Sequence, residues 1–171
     1  MLNRTGIPTQ AELNRVLPLA DRIEQGAAVI IECFESIPCN PCVDSCLQRA
    51  ISIEGNINNL PQVDYTKCNG CGMCISGCPG LAIFVVHKNY DSKQGLVMLP
   101  YEFLPLPKVD DIVAALSRKG NKICEAKVSR VLLTKRQDRT AIISILVPKE
   151  LIMEVRNIAI TKSKVQIPNS K

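Results

Sequence analysis

Four cysteines in one short run, Cys68-x2-Cys71-x2-Cys74-x3-Cys78, followed directly by Pro79, constrain this chain more than any other feature. With the rest of the sequence they make nine cysteines in 171 residues, which must be disulfides, metal ligands or reactive thiols. The run has a copy. Cys39, Cys42, Cys46, Ala50 and Ile51 recur 32 positions later as Cys71, Cys74, Cys78, Ala82 and Ile83. Each half reads as a cysteine loop, a short helical turn and a small apolar strand, Ile51-Ser52-Ile53 in the first and Ile83-Phe84-Val85-Val86 in the second. A duplicated unit too small to bury its own apolar face is expected to pair with its copy around a shared centre.

Spacing decides what fills that centre. The first residues, MLNRTGIPTQ, have neither the apolar core nor the cleavage pattern of a secretory signal, so the expectation is a cytoplasmic chain. Reducing surroundings and an odd cysteine count argue against a disulfide framework. Zinc also accepts four thiolates, but zinc sites usually present two separated pairs. Three closely spaced cysteines plus a fourth before proline fit iron–sulfur clusters, the fourth reaching the other cluster of a pair. Gly70, Gly72 and Gly77 suit the tight turns and let N–H groups approach the sulfides. By this rule Cys68, Cys71 and Cys74 hold one 4Fe-4S cluster with Cys46 as fourth ligand. Cys39, Cys42 and Cys78 belong to the other, whose run lacks a member, because Ser36 stands where the second half has Cys68. Cys33, brought in through the loop Glu35-Ser36-Ile37-Pro38, is the expected fourth ligand. A Ser36 alkoxide, or a three-iron cluster with Cys33 merely buried, is the alternative. Leu47 replaces the proline after Cys46, a change of packing, and Lys67 beside Cys68 would raise a cluster's potential electrostatically. Cys124, outside the repeat, reads as a buried and unreactive thiol.

Three segments emerge along the chain. In the N-terminal extension, 1–27, Thr9 and Glu12 have capping-box spacing and predict a helix from Gln10 to Leu17, ended by Pro18. The cluster unit, 28–104, opens on the short β-branched strand that runs from Ala27 through Ala28-Val29-Ile30-Ile31-Glu32, and continues past His87 through a turn into a strand at Leu96-Val97-Met98-Leu99. Leu104-Pro105-Leu106-Pro107 is a stiff extended connection, and the third segment, 105–171, begins there. Ile112–Leu116, Ala126–Leu133 and Thr140–Val147 read as strands of a small β-barrel or meander. Pro148 then opens a closing helix, Lys149–Val155, and Pro168–Lys171 fray. Charge follows the same division: residues 28–88 hold three Lys/Arg against five Asp/Glu, residues 107–171 fourteen against six. Without interleaved aromatics the basic segment points to a protein partner rather than nucleic acid. No apolar stretch approaches the roughly 18 residues of a membrane span. His87, the single histidine, has no nucleophile motif near it, and neither a phosphate loop nor a carboxylate pair is present, so catalytic residues are not expected.

These cysteine motifs resemble the two-cluster bacterial-type ferredoxins over residues 28–88. Ile31-Glu32-Cys33 with Ile37-Pro38-Cys39-Asn40-Pro41-Cys42 further resembles the ferredoxin-like small subunits of multi-subunit, FAD-dependent amine and amino-acid dehydrogenases, of the proline- and hydroxyproline-dehydrogenase and hydrogen-cyanide-synthase kind. The resemblance implies an α+β fold with two 4Fe-4S clusters, and FAD on partner subunits of a hetero-oligomer. It also implies an electron-transfer role in which flavin subunits take electrons from a C–N bond and this chain passes them on singly. The basic segment would be a docking extension. A free-standing ferredoxin, or an iron–sulfur or zinc regulator that binds nucleic acid through 107–171, are the competing readings.

Overall fold

The protein's computed structural model describes residues 5–160; Pro168–Lys171 lie outside them. The predicted capping box opens the first helix (α1, Gln10–Val16), where the Thr9 hydroxyl accepts from the Glu12 N–H and the Glu12 carboxylate accepts from the Thr9 N–H. A second helix (α2, Ala20–Glu24) buries Ile23; five residues are too few to show a helical period in the sequence. Then come β1 (Ala28–Ile31), a one-turn helix with proline in its first turn (α3, Pro41–Asp44), and two short strands, β2 (Ile51–Ser52) and β3 (Gln62–Val63). The remaining strands are β4 (Ile83–His87), β5 (Gln94–Tyr101), β6 (Ile112–Ser117), β7 (Lys122–Leu132), β8 (Ala141–Pro148) and β9 (Val155–Ala159).

Seven strands form a single antiparallel sheet in the order β1-β4-β5-β8-β7-β6-β9. This corrects the expectation of a C-terminal barrel-like module. The sheet is open, and its strands are drawn from both sides of Leu104: β5 pairs with β8 from Gln94↔Pro148 to Tyr101↔Ala141. The reason lies in β5, whose alternating residues must be covered on both faces and find in β8 an equally apolar neighbour.

Alternation sorts the core into two layers. Ile30, Phe84, Val86, Val97, Leu99, Ile143, Ile145, Val128 and Val113 point to one face, joined by Val155 and Ile158 from the far edge. Val29, Ile31, Ile83, Val85 and Ile142 point to the other, against Ile51, Ile75 and the cysteines. Three register shifts leave Ile123, Ser129 and Arg156 as extra residues in their strands, and such bulges bend and twist a sheet. The expected closing helix is also corrected. Only a 3-10 turn forms at Lys149–Leu151, Ile152 buries in the core, and from Val155 the chain pairs with β6.

The bent sheet brings its two edges together at Glu32, immediately after β1. Its carboxylate accepts from Arg118 (Nε 2.9 Å, Nη2 2.5 Å), at the end of β6, and from Arg156 Nε (2.7 Å) in β9. The three side chains are only 8%, 11% and 4% exposed. Burial alone would raise the Glu32 pKa, but the Arg118 hydrogen bonds and the Arg156 charge outweigh it and hold the carboxyl below its ordinary range. The Arg156 guanidinium also lies 5.0 Å from the Phe84 ring centre. No helix among the described residues is long and apolar enough to cross a membrane.

Removing one partner of a buried ion pair strands the other charges. Glu32→Gln should therefore lower unfolding stability by about 3–5 kcal/mol in denaturant titration, and a loss under about 1 kcal/mol, the worth of an exposed pair, would show the edges to be held by other means.

Candidate metal centres

The 32-residue repeat is written into the backbone as well as the sequence. The Glu32 N–H donates to Ala82 O and the Asp64 N–H to Ala50 O, both at 2.8 Å, so the strand opening each half pairs with the strand closing the other. Ile31↔Ile83 and Val63↔Ile51 are the corresponding strand partners. After each run the chain makes the same turn. Arg49 and Leu81 take left-handed φ values of 50° and 52°, and their N–H groups donate to Cys46 O and Cys78 O. The next N–H then reaches back to sulfur: Ala50 to Cys46 Sγ at 3.2 Å and Ala82 to Cys78 Sγ at 3.5 Å. Such bonds favour thiolate and tune any metal it holds.

The halves meet at Ser45 and Gly77, which are equivalent in the repeat. A Cβ on Gly77 would lie 2.0 Å from Ser45 Oγ and 2.7 Å from Ser45 Cβ, so one of the two positions must lack a side chain. This contact crosses the thiols over. Cys33, Cys39 and Cys42 line a cavity of about 30 Å³ together with Cys78 from the second half. Cys68, Cys71 and Cys74 line another, of about 20 Å³, together with Cys46 from the first. Glu35 and Ile37 line the first cavity and Ser36 between them does not.

Burial, then the neighbouring sulfurs, raises these thiols: Cys42 to about 11 through Cys78 and Cys39, and Cys74 to about 12 through Cys46 and Cys71. Cys33 is raised for the same reasons, with burial first. Four thiols so placed become thiolates only against compensating positive charge, which a metal centre supplies. Among the described residues no three His, Cys, Asp or Glu side chains converge as closely as one metal ion requires. The sulfurs instead line two small cavities, four cysteines to each. The donor set, all cysteine and four to a cavity, fits a 4Fe-4S cluster.

One residue supporting the second cavity has no signature in the sequence. Arg22 of α2 donates to Ala27 O (2.7 Å), Cys68 O (2.8 Å), Tyr65 O (3.3 Å) and Gly26 O (3.3 Å), tying the helix to the loop that carries Cys68. Gly70 packs on the same strand entry: its φ is +67°, and a Cβ there would lie 2.4 Å from Ala27 Cβ. Lys67 pairs with Asp64 at 2.8 Å in solvent. His87 ends β4 with its ring edge-on to Tyr90, and Cys124 lies on β7 opposite Ala115, lining neither cysteine cavity.

Residues 60–83 match a family described as a 4Fe-4S binding domain. The ferredoxin-type protein NapF of Escherichia coli (strain K12) is 38% identical over 52 residues, 29% of this chain and 32% of that protein. NapF of Haemophilus influenzae is 34% identical over 69 residues, 39% and 38% of the two chains. The methylamine utilization ferredoxin-type protein MauM of Methylobacillus flagellatus is 36% identical over 83 residues, 42% and 35%. The chain thus spans about a third of the length of these curated relatives. No solved structure matches it significantly. The chain carries a ferredoxin-type 4Fe-4S segment of the kind found in electron-transfer proteins.

The contact between the halves can be tested by exchange. Gly77→Ala should cost about 1–3 kcal/mol by overpacking, and adding Ser45→Gly should recover most of it, giving a coupling energy in a double-mutant cycle. Additive effects would mean that the two positions do not share the space.

Proposed function

We propose that this chain is a one-electron relay holding two 4Fe-4S clusters, and that it works as a subunit of an oxidoreductase complex whose partner is a FAD-dependent amine or amino-acid dehydrogenase. The observation that carries the first part is the crossing of the quartets, Cys33, Cys39, Cys42 and Cys78 around one cavity and Cys46, Cys68, Cys71 and Cys74 around the other. Sharing ligands between halves keeps two centres close, as a relay needs. A 4Fe-4S cluster takes up one electron with little change of shape.

The chain's own residues then do three things. The N–H groups of Ala50 and Ala82 stabilise sulfur charge at the two crossing cysteines. The apolar layer of Val29, Ile31, Ile75 and Ile83 keeps water from the cavities' inner walls. Cys71, exposed where Cys74 of the same quartet is buried, marks the side on which an electron would enter or leave. The wider partner reading rests on the resemblance of the Cys33 segment, and the methylamine-utilization relative is consistent with amine oxidation. Flavin chemistry would turn a two-electron oxidation into single-electron steps, with the basic segment 105–171 as the docking extension.

Anaerobic purification of the chain from its own cells should yield about eight irons per copy together with a stoichiometric flavoprotein; the iron-loaded chain alone would favour a diffusible ferredoxin. Cys33→Ala should remove roughly three to four irons and one signal in low-temperature electron paramagnetic resonance, while Ser36→Ala leaves both clusters. Two intact clusters in Cys33→Ala would sink the ligand assignment.

A further inference from the structure

The duplication lets the surroundings of the two cysteine cavities be compared position by position. From Cys33 to Ala50 the first half carries three charged residues, Glu35, Asp44 and Arg49, and from Tyr65 to Ala82 the second carries only Lys67. In the repeat, Glu35 corresponds to Lys67, Asp44 to Ser76 and Arg49 to Leu81. The crossing of the thiols sorts these charges by sign. Glu35 lines the first cavity, and Asp44 follows its Cys42 on α3. Arg49 sits in the turn where its own N–H donates to Cys46 O, and Lys67 precedes Cys68, both beside the second cavity. We propose that this asymmetry makes the second centre, held by Cys46, Cys68, Cys71 and Cys74, the easier of the two to reduce, with Arg22 as its main tuning residue. The inference rests on the two-cluster reading above.

Arg22 weighs most because solvent screens it least. It is half-buried on α2. Its guanidinium donates to the carbonyls of Ala27, Cys68, Tyr65 and Gly26, and among the described residues it meets no carboxylate. Its charge therefore bears undiminished on the loop of Cys68. Net charge, hydrogen bonds to sulfur and exposure together set a cluster's potential, and a nearby positive charge favours the more negative, reduced form. Lys67 counts for less, being paired with Asp64 in solvent.

Hydrogen bonding and exposure act in the same direction. The Ala50 N–H lies 3.2 Å from Cys46 Sγ, against 3.5 Å for Ala82 and Cys78, and Cys71 is exposed where no thiol of the first quartet is. Near Cys33, Arg118 and Arg156 leave one positive charge beyond that of Glu32. Glu35, lining the same cleft, and Glu154, 3.9 Å from Arg118, offset it. An electron given to the chain is thus held on the side where Cys71 meets solvent.

Stepwise reduction of the full chain with dithionite, after anaerobic purification, tests this by low-temperature electron paramagnetic resonance. Two one-electron waves should appear, at least about ten-fold apart in reduction equilibrium, or about 59 mV. Repulsion between two like centres would split the waves by itself, so the variants decide. Arg22→Gln should lower the upper wave by about ten-fold, and Glu35→Gln should raise the lower one by less, because an exposed charge is screened. Each narrows the gap. Arg22→Lys, which keeps the charge and loses the fork, should retain most of the upper potential, separating charge from support of the loop. If Arg22→Gln loses iron, Arg49→Asn, a residue at ease at the left-handed φ of 50° there, should still lower the upper wave. Iron content keeps the two proposals apart. Fewer than two clusters in the unaltered chain would remove the two-cluster reading and this inference with it. About eight irons, with a gap that widens or stays fixed in Arg22→Gln, Arg49→Asn and Glu35→Gln, would overturn the inference alone.

Discussion

Much of this structure depends on a single carboxylate. An open sheet of seven strands has two edges, and here they come from distant parts of the chain, β1 near its start and β9 near the end of the described residues. No backbone ladder joins them. Glu32 does so instead, by accepting from Arg118 and Arg156 at once. A buried ion pair commonly gains little over a well-packed apolar substitute, so its value here is better sought in geometry than in net stability. It fixes where β1 ends relative to β9, and Cys33 follows Glu32 directly. The position of a proposed cluster ligand is thereby set by arginines more than 80 residues away in sequence.

Duplication explains the cysteine region in the same physical terms. Each half alone would leave one cysteine far from its own loop, with the N–H four residues later aimed at its sulfur. Related by an approximate two-fold, the halves exchange these cysteines, and each cavity is completed from the other side. The Ser45–Gly77 contact sits where the axis must pass. Departures from symmetry are informative too. At the position equivalent to Cys33 the second half has Tyr65, whose hydroxyl donates to Val29 O at 3.1 Å, and at the position equivalent to Cys68 the first half has Ser36. In the proposed assignment the opening thiol of the first half, Cys33, thus lies three residues upstream of Ser36, just past the end of β1 and next to Glu32.

The legible parts of the sequence were those governed by local rules. Helix capping placed α1, and short apolar, β-branched runs placed β1 and β4 to β8; the two quartets are a proposal from cysteine spacing and the repeat, with Cys33 brought in through its loop, and the same residues line the two cavities. What escaped was non-local. The barrel expectation failed because nothing in Gln94–Tyr101 names β8 as its partner, and the closing helix failed because pairing of Val155–Ala159 with β6 outweighs the helical reading of the segment before it. Arg22 and Arg156 look like ordinary surface charges in sequence. Glu32 alone offered a hint, as a carboxylate continuing the inward alternation of a fully buried strand.

The two layers of the sheet finally give the fold a mechanical reading. β1 and β4 serve both layers, Ile30 and Phe84 facing the inner core and Val29, Ile31, Ile83 and Val85 the cysteine side. The loops bearing the thiols are short and have little regular structure, and loops of that kind are the least stable parts of a domain. Here they rest on strands whose other face is locked into the larger core. Reorganisation around a redox centre is smallest when its surroundings cannot move, and a close-packed layer backed by a second one meets that condition. The long sheet beyond the repeat therefore has a physical role at the cysteines themselves: it stiffens the floor on which a centre that gains and loses charge would sit.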